Sequence, residues 1–379
     1  MLRSDAYWMG LAMDLASRGR GRVEPNPMVG CVIVENNELV ASGYHHFFGG
    51  PHAEVVAFDQ ASRSATQFEW ANATVYVTLE PCSHHGKTPP CVDLILSKRP
   101  KRVVIAMTDP FPQVAGRGIR ALKENGIEVE HGVLENVAQQ LNSPYLKLIE
   151  TKMPWVIAKW AMTLDGAIAT GSSDSKWISN VQSRRVVHEL RSRVDAIVIG
   201  IGTAMADNPM LNARLDSGEP TCRTALRVVV DRSGRLPVDS KLVQSAKQFP
   251  TMVAVSPERS DEVHLQDLRN AGCELLEIPK DQANTSLEFV LRELGRRQLT
   301  NILIEGGSKL LGSAFDEGLV DEVHCFVAPI LVGGATALRP IGGVGHANMS
   351  EASKLTNVQS KWLDGDIYIH GRVPIKSRT

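Results

Sequence analysis

Aromatic residues are scarce in this chain, and charge of either sign barely outweighs the other. Phe, Trp and Tyr make up 5% of 379 residues, and 41 Lys and Arg face 42 Asp and Glu, for a net charge of −1. A nucleic-acid groove needs clustered cations for phosphates and aromatic faces for unstacked bases, so this balance speaks against a nucleic-acid partner. Long apolar runs are missing too. None reaches the roughly 18–20 residues that cross a bilayer, and the opening Met1-Leu2-Arg3-Ser4-Asp5-Ala6-Tyr7-Trp8 holds no apolar signal core. The six cysteines, Cys31, Cys82, Cys91, Cys222, Cys273 and Cys325, are too scattered for a disulfide framework. The expectation is a cytoplasmic protein with no membrane partner.

What is present is ordinary globular composition, 43% hydrophobic and 22% charged, in a chain too long for one comfortable core. Helical and strand patterns alternate. Helices are predicted at Asp5–Ser17, from His52 to Ala61, at Cys91–Ser97, at Gly118–Glu124 and near Glu135–Glu150. Strands are predicted at Val29–Val34, Leu39–Tyr44, Ala73–Leu79, Arg102–Met107 and Ile127–Glu130. A second set follows Lys152-Met153-Pro154. Its strands are Trp155–Trp160, Ala196–Gly200, Leu226–Val230, Thr251–Val255, Cys273–Ile278, Asn301–Ile304 and Glu322–Ala328. Its helices are Val181–Arg193, Asp261–Asn270, Ser286–Arg297 and Ser308–Glu317. Two α/β layered domains are expected, over residues 1–150 and 151–379.

The strongest chemical signal lies between residues 52 and 91. His52-Ala53-Glu54 is followed by Pro81-Cys82 and by Pro89-Pro90-Cys91. One imidazole and two thiolates suit a tetrahedral Zn²⁺ that keeps one position for water. His52, Cys82 and Cys91 are the candidate ligands. A carboxylate two residues after the His, Glu54, can sit beside that water as acid and base without binding metal. H-x-E followed by P-C-x-x-C marks zinc nucleobase deaminases. Here eight residues, not two, separate the cysteines. His84 and His85 in that segment suit either a surface loop or a substrate contact, whereas Cys31 in its apolar run reads as core. Two other readings compete: a nucleic-acid-editing deaminase, and a zinc-stabilised binding protein that would leave Glu54 without a purpose.

The second half speaks less clearly. Gly200-Ile201-Gly202 follows a strand, but Met205 stands where a dinucleotide fingerprint needs its last glycine. Glu305-Gly306-Gly307-Ser308 sits between a strand and a helix. Its backbone N–H groups could hold a phosphate, or it is a tight turn. Arg191 and Arg214 could clamp a substrate phosphate; an exposed basic helix face is the alternative for Arg191.

Pro25-Asn26-Pro27-Met28-Val29-Gly30-Cys31, His52-Ala53-Glu54, Thr78 to His84, Gly86 to Cys91 and Asp109-Pro110 together resemble the deaminase half of the bifunctional riboflavin-biosynthesis family RibD. Thr163-Leu164-Asp165-Gly166, Ser175-Lys176-Trp177-Ile178, Gly202-Thr203, Asp207-Asn208-Pro209, Leu211 to Arg214 and Glu305-Gly306-Gly307 resemble its reductase half. The resemblance spans nearly the whole chain in one order. It implies a cytidine-deaminase-like three-layer domain followed by a dihydrofolate-reductase-like domain. It also implies two reactions on a phosphorylated pyrimidine. The 2-amino group of 2,5-diamino-6-ribosylamino-4(3H)-pyrimidinone 5′-phosphate is hydrolysed off, and NADPH then reduces the ribosyl group to ribityl. By the same resemblance Asn26, His45, Lys87 and Asp109 bind the deaminase substrate. Ala161, Trp177, Thr203, Asp207, Gly307, Ser308, Lys309, Leu310, Leu311, Gly312 and Ser313 hold NADPH. Ser175, Arg191, Leu211, Arg214 and Glu305 hold the reductase substrate, with Lys159 a further candidate beside the sugar. One departure is Ala167, where many relatives carry Lys or Arg after Asp-Gly. A homo-oligomer is the implied assembly.

Overall fold

The computed structural model describes residues 3–63, 68–84, 89–112, 114–172, 174–214 and 223–374. The chain divides into two compact units, Met1–Lys152 and Met153–Thr379.

In the first unit, β1 (Gly30–Glu35) and β2 (Glu38–Tyr44) form a hairpin, followed by β3 (Thr74–Val77), β4 (Arg102–Ile105) and β5 (Glu128–His131). The hairpin turns on Asn36 and Asn37, both at positive φ. Asparagine tolerates that conformation, and the twist it imposes matches the strands. The sheet order is β2-β1-β3-β4-β5, with β3, β4 and β5 parallel. The inner strands β1, β3 and β4 are buried nearly throughout because both faces of the sheet are covered there. Cys31, Ile33, Val75, Val77, Val103 and Ile105 pack against α2 (Ala53–Arg63), α3 (Cys91–Lys98) and α4 (Arg117–Glu124). Val32, Val34, Tyr76 and Val104 pack with α1 (Asp5–Ser17), which brings Trp8, Met9 and Ala12, and with Ala138 of α5 (Glu135–Leu141). Cys31 is therefore core, as its apolar run predicts.

The helix expected near Glu135–Glu150 is two helices, α5 and α6 (Ser143–Thr151). Pro144 lacks an N–H and its ring clashes with the preceding turn, so the chain breaks at Asn142. The freed Asn142 side chain grips one backbone unit from both sides. Its Oδ1 accepts from the Met28 N–H at 2.8 Å and its Nδ2 donates to the Met28 carbonyl at 3.0 Å.

Among its described residues the second unit holds one nine-stranded sheet. The strands are β6 (Trp155–Thr163), β7 (Ala196–Gly200), β8 (Leu226–Val230), β9 (Thr251–Val255), β10 (Glu274–Glu277), β11 (Asn301–Glu305), β12 (Glu322–Ala328), β13 (Thr356–Leu363) and β14 (Asp366–Arg372). They lie in the order β10-β9-β8-β7-β11-β6-β12-β14-β13. The stretch from β10 to β12 is parallel, with β14 and β13 added antiparallel. The helices are α7 (Val181–Arg193), α8 (Ile201–Asp207), α9 (Lys241–Gln244), α10 (Glu262–Asn270), α11 (Ser286–Arg296) and α12 (Ser308–Asp316). Val290, Leu291, Leu294, Leu311 and Ala314 cover one face of the sheet, and Leu190, Leu242, Leu265 and Leu268 the other.

The sequence reading passed over β13 and β14. The β13 segment is exposed almost throughout, so it carries no apolar alternation to betray a strand. Its hairpin does have a signature. Asp364 and Gly365, both at positive φ, connect the paired residues Leu363 and Asp366, and Asp-Gly is a strong two-residue turn. The short α8 was also missed, because β7 runs into it directly at Gly200.

Candidate active sites

Three backbone turns assemble the first site. His52 precedes α2, Glu54 lies in its first turn, Cys82 follows β3, and Cys91 opens α3 behind Pro90. The Cys91 N–H donates to Cys82 Sγ at 3.3 Å, and the Val92 N–H donates to the Cys82 carbonyl at 3.2 Å. The helix start thus holds the loop that carries Cys82. His52 Nδ1 lies 3.2 Å from Cys91 Sγ and 3.6 Å from Cys82 Sγ. All three ligand atoms lie within 4.8 Å of one another. Without metal, hydrogen bonds from the Cys91 thiol and from His52 hold Cys82 towards thiolate, while sharing that proton and burial push Cys91 up. Glu54 is 4% exposed. Burial, then the nearby Cys82 charge, raises its pKa. One imidazole, two thiols and a buried carboxylate that is not a fourth ligand fit a zinc centre with a position left for water.

The proposed substrate side is partly assembled. Asn26 Nδ2 lies 3.2 Å from His45 Nε2, and His45 Nδ1 lies 2.9 Å from the Pro51 carbonyl. The carbonyl can only accept, so Nδ1 carries the proton and Nε2 accepts from Asn26. Burial lowers the His45 pKa and keeps the ring neutral. Its ring meets His52 edge-on at 5.8 Å. Asp109 is buried and accepts from the Tyr145 hydroxyl at 2.8 Å and the Phe111 N–H at 2.9 Å. Burial raises its pKa. Lys87 and His85 lie outside the described residues. The ring of His84 tilts towards Phe111, with centroids 6.0 Å apart.

Glu80 was missed by the sequence reading. Its buried carboxylate accepts from the N–H groups of Gly118 (2.8 Å), Gly116 (2.9 Å), Ile119 (3.2 Å) and Asp109 (3.3 Å). It caps α4 and fixes the Asp109 loop at once, which places negative charge where a helix start favours it. A charged residue directly before Pro81-Cys82 was the available signal.

The second site gathers at the carboxyl ends of parallel strands, where open α/β sheets bind ligands. Lys159 of β6 and Glu305 of β11 are register partners. Arg191 of α7 donates Nε and Nη2 to Glu305 Oε1 and Oε2 at 2.6 and 2.7 Å, and Nη1 to the Asn212 carbonyl at 3.4 Å. Two of the Arg191 nitrogens are therefore engaged by Glu305, while Arg214 points elsewhere, with Nε on Asn212 Oδ1. Lys159 Nζ stands 4.0 Å from Glu305 Oε2 and over the Phe326 ring at 5.8 Å. Burial lowers the Lys159 pKa, against the pull of Glu305. His188, also missed, accepts from the Arg214 N–H at 3.3 Å. It sits three residues before Arg191, on the same helix face.

Burial alone would raise the Glu305 pKa, yet Arg191 and Lys159 hold it down to about 2 from 4.5. A depressed carboxyl contributes stability that is complete above its unfolded pKa and is lost as pH falls through the folded value. We expect the second unit to lose thermal stability between roughly pH 4.5 and 2. Glu305→Gln should lower the melting temperature at neutral pH and flatten that acid slope. An unchanged slope would show that the pair does not carry it.

The residues expected to hold the cofactor divide. Ser175 Oγ donates to Asp207 Oδ1 at 3.4 Å. Trp177 is 74% exposed, with the Arg184 guanidinium 4.8 Å from its ring centroid. Thr203 of α8 faces Gly306 and Gly307, which both have positive φ; a Cβ on Gly307 would lie 2.9 Å from Thr203 Oγ1. Ala161 packs beside Val187, Phe326 and Tyr368. Leu310 and Leu311 are core, and Gly312 lies against the Gly342–Gly343 backbone. Their side-chain positions do not present them to a cofactor. The first intrahelical bond runs from the Leu311 N–H to the Gly307 carbonyl, so Ser308, Lys309 and Leu310 precede it with N–H groups unclaimed by the helix. Leu211 is buried at positive φ, and Arg214 is exposed with Nε on Asn212 Oδ1 at 3.0 Å. Ala167 is buried in a tight turn, exchanging hydrogen bonds with Thr163.

Comparison with known proteins finds a match for each unit. Residues 2–107 match the cytidine and deoxycytidylate deaminase zinc-binding region, and residues 154–369 match the RibD C-terminal domain. The chain is similar to riboflavin biosynthesis protein RibD of Actinobacillus pleuropneumoniae, with 42% identity over 97% of this chain and 94% of that protein. It is likewise similar to the Escherichia coli protein of that name, with 38% identity over 97% and 98%. Among solved structures, Acinetobacter baumannii RibD superposes with a TM-score of 0.84 at 37% identity, covering 99% of this chain and all of that one. A Thermotoga maritima diaminohydroxyphosphoribosylaminopyrimidine deaminase/5-amino-6-(5-phosphoribosylamino)uracil reductase gives 0.82 at 35% identity, over 97% and 98%. The first unit thus has the cytidine-deaminase-like fold and the second the dihydrofolate-reductase-like fold. With both halves matched in order over nearly its full length, the chain belongs to the RibD family, the bifunctional deaminase–reductases of riboflavin biosynthesis.

Proposed function

We propose that the first unit hydrolyses the 2-amino group from the diaminopyrimidinone ribosylamino phosphate, and that the second reduces the ribosyl group of the product to ribityl with NADPH. The observation that carries the reading is the cluster of His52, Cys82 and Cys91 donor atoms, with Glu54 buried against Cys91. Zinc bound by those three residues supplies the Lewis acidity that makes water a nucleophile near neutral pH. Glu54 would take one proton of the water and pass it to the ring nitrogen, then take the second and pass it to the departing amine, which leaves as ammonia. Its burial raises its proton affinity towards that task. Asn26, neutral His45 and Asp109 orient the pyrimidine, and Lys87 joins them by family resemblance.

In the second unit NADPH supplies the hydride. Gly307 lets the diphosphate reach the backbone, and the N–H groups of Ser308, Lys309 and Leu310 meet its charge. Thr203, Asp207, Trp177 and Ala161 complete that side. Ser175, Leu211 and Arg214 hold the substrate. Glu305 and Arg191 form its charged floor, and Lys159 Nζ holds a proton beside the reacting sugar.

Supplying the diaminopyrimidinone phosphate with and without NADPH and identifying each product tests the reading. Ammonia release should need no NADPH, and ribityl product should need it. Reduction without prior deamination would reverse the order.

The working enzyme is also proposed to be a cytoplasmic homo-oligomer. The described cysteines are free thiols, and no described helix is long and apolar enough to cross a membrane. The edge strand β13 exposes Val358 and Trp362, a surface that soluble proteins usually cover or charge. Light scattering should show Trp362→Glu shifted towards the monomer. An unchanged mass would move the contact elsewhere.

A further inference from the structure

Arg227 of β8 is fully buried, yet among the described residues no carboxylate pairs with it. Its Nη1 donates to the Met210 carbonyl at 3.1 Å and the Ser245 hydroxyl at 2.9 Å. Its Nη2 donates to the carbonyls of Leu242 at 3.0 Å and Phe249 at 2.8 Å, and to the Thr251 hydroxyl. Nε alone has no partner. Burial pushes the pKa down to about 10, so the group stays a cation at neutral pH. A buried cation without a counter-ion is costly. Three carbonyls surround it instead, and two of them, Phe249 and Leu242, also lie 2.9 and 3.5 Å from the Thr251 hydroxyl.

Two of those carbonyls belong to α9 and to the approach to β9, and sheet packing accounts for them. Met210 is different. It lies between Asn208 at φ 41° and Leu211 at φ 51°. Left-handed backbone at a leucine is strained and persists only when its surroundings impose it. The same loop carries Leu211, Asn212 and Arg214 to α7. There the Asn212 carbonyl accepts from Arg191 and the Arg214 N–H donates to His188. On the other side Asn208 Oδ1 accepts from the Lys241 N–H at 2.8 Å. Arg227 is the hold at the middle of the loop.

We propose that Arg227 is a positioning residue for the reduction step. Its guanidinium fixes the Met210 carbonyl and so sets where Leu211 and Arg214 stand beside Arg191. This rests on the reading of Leu211 and Arg214 as substrate contacts. Lysine keeps the charge but lacks the planar fork, so it cannot serve carbonyls from three segments together. Arg227→Lys therefore loosens the loop while still filling the site, and Arg227→Met removes the hold altogether.

The test is full-length enzyme with Arg227→Lys, Arg227→Met, Arg214→Ala and the double variant Arg227→Lys/Arg214→Ala. Reduction is assayed with the deaminated substrate and NADPH varied separately. For Arg227→Lys the expected result is a rise of about tenfold in substrate KM, with NADPH KM and deamination unchanged. Amide exchange should quicken at residues 208–214 and not along β8 or β9. Because Arg227 acts through the loop, the double variant should show about the substrate KM of Arg214→Ala alone. If Arg214→Ala leaves substrate KM unchanged, the loop is not a substrate contact, and that reading fails. If Arg214→Ala raises KM but Arg227→Lys does not, the positioning role alone is overturned. Equal changes in both KM values, additive effects in the double variant, or failure of both Arg227 variants to fold would show a purely architectural arginine and overturn it as well.

Discussion

Glu54→Gln should retain zinc and lose deamination. Gln keeps the shape and the hydrogen-bonding reach but cannot accept and return a proton. Roles of that kind contribute about 10²–10⁴-fold. Zinc content should hold, because the donor atoms come from His52, Cys82 and Cys91. Removing the buried carboxylate also removes a charge that burial opposes, so the variant should fold at least as well as the parent. Cys82→Ser should do the reverse, lowering zinc content first and activity as a consequence. The Glu54 variant should still reduce separately supplied deaminated substrate, since the second unit has its own sheet and cores. Full deaminase activity in Glu54→Gln would remove the proton-transfer role. A folded variant dead in both reactions would remove the two-site scheme.

Gly307→Val should abolish or severely weaken reduction and spare deamination. At φ 80° any side chain is strained, and its Cβ would stand 2.9 Å from Thr203 Oγ1, with a β-branched residue the worst choice. The added methyls also occupy the space through which a diphosphate reaches the start of α12. The expected signature is a raised NADPH KM with substrate KM unchanged, and with deamination as the control for folding. Unchanged NADPH kinetics would place the cofactor elsewhere. In the parent enzyme NADPH should be preferred to NADH; equal use would refute a 2′-phosphate preference.

How far the sites could be read from the sequence follows how local their physics is. The zinc ligands stand at element ends marked by their neighbours: His52 before a helix, Cys82 after Pro81, Cys91 after two prolines. Most strands were legible for a similar reason, since an apolar run between turn residues needs no knowledge of its partner. Glu305 was visible as a turn residue, but its bond with Arg191 spans 114 positions, and nothing near either residue announces the other. The same holds for Glu80, whose four donors lie 29 to 39 positions further along the chain, and for Arg227. Its buried site is made by segments that only the fold brings together. The exposed β13 failed for the opposite reason. Burial is what writes a pattern into a strand, and β13 is hardly buried. The helix expected over Leu310, Leu311 and Gly312 is α12. The Leu310 and Leu311 side chains are buried in the core, so the backbone N–H groups at the helix start are what this segment offers a cofactor.

The break at Asn142 bears on the order in which the enzyme is made. The zinc ligands and Glu54 are all synthesised by residue 91. The side proposed to hold the pyrimidine is joined later, by α6 and the residue before it: Asn142 grips Met28, and Tyr145 bonds Asp109. During synthesis the metal centre can therefore form on a nascent chain whose substrate side is still open. A chain cut after residue 107, where the match to the deaminase zinc-binding region ends, would keep every ligand and lose Asp109, Asn142 and Tyr145 together. On the proposed reading such a fragment would keep a metal site and lose its pocket, so activity should require the chain to about the end of the first unit, Lys152.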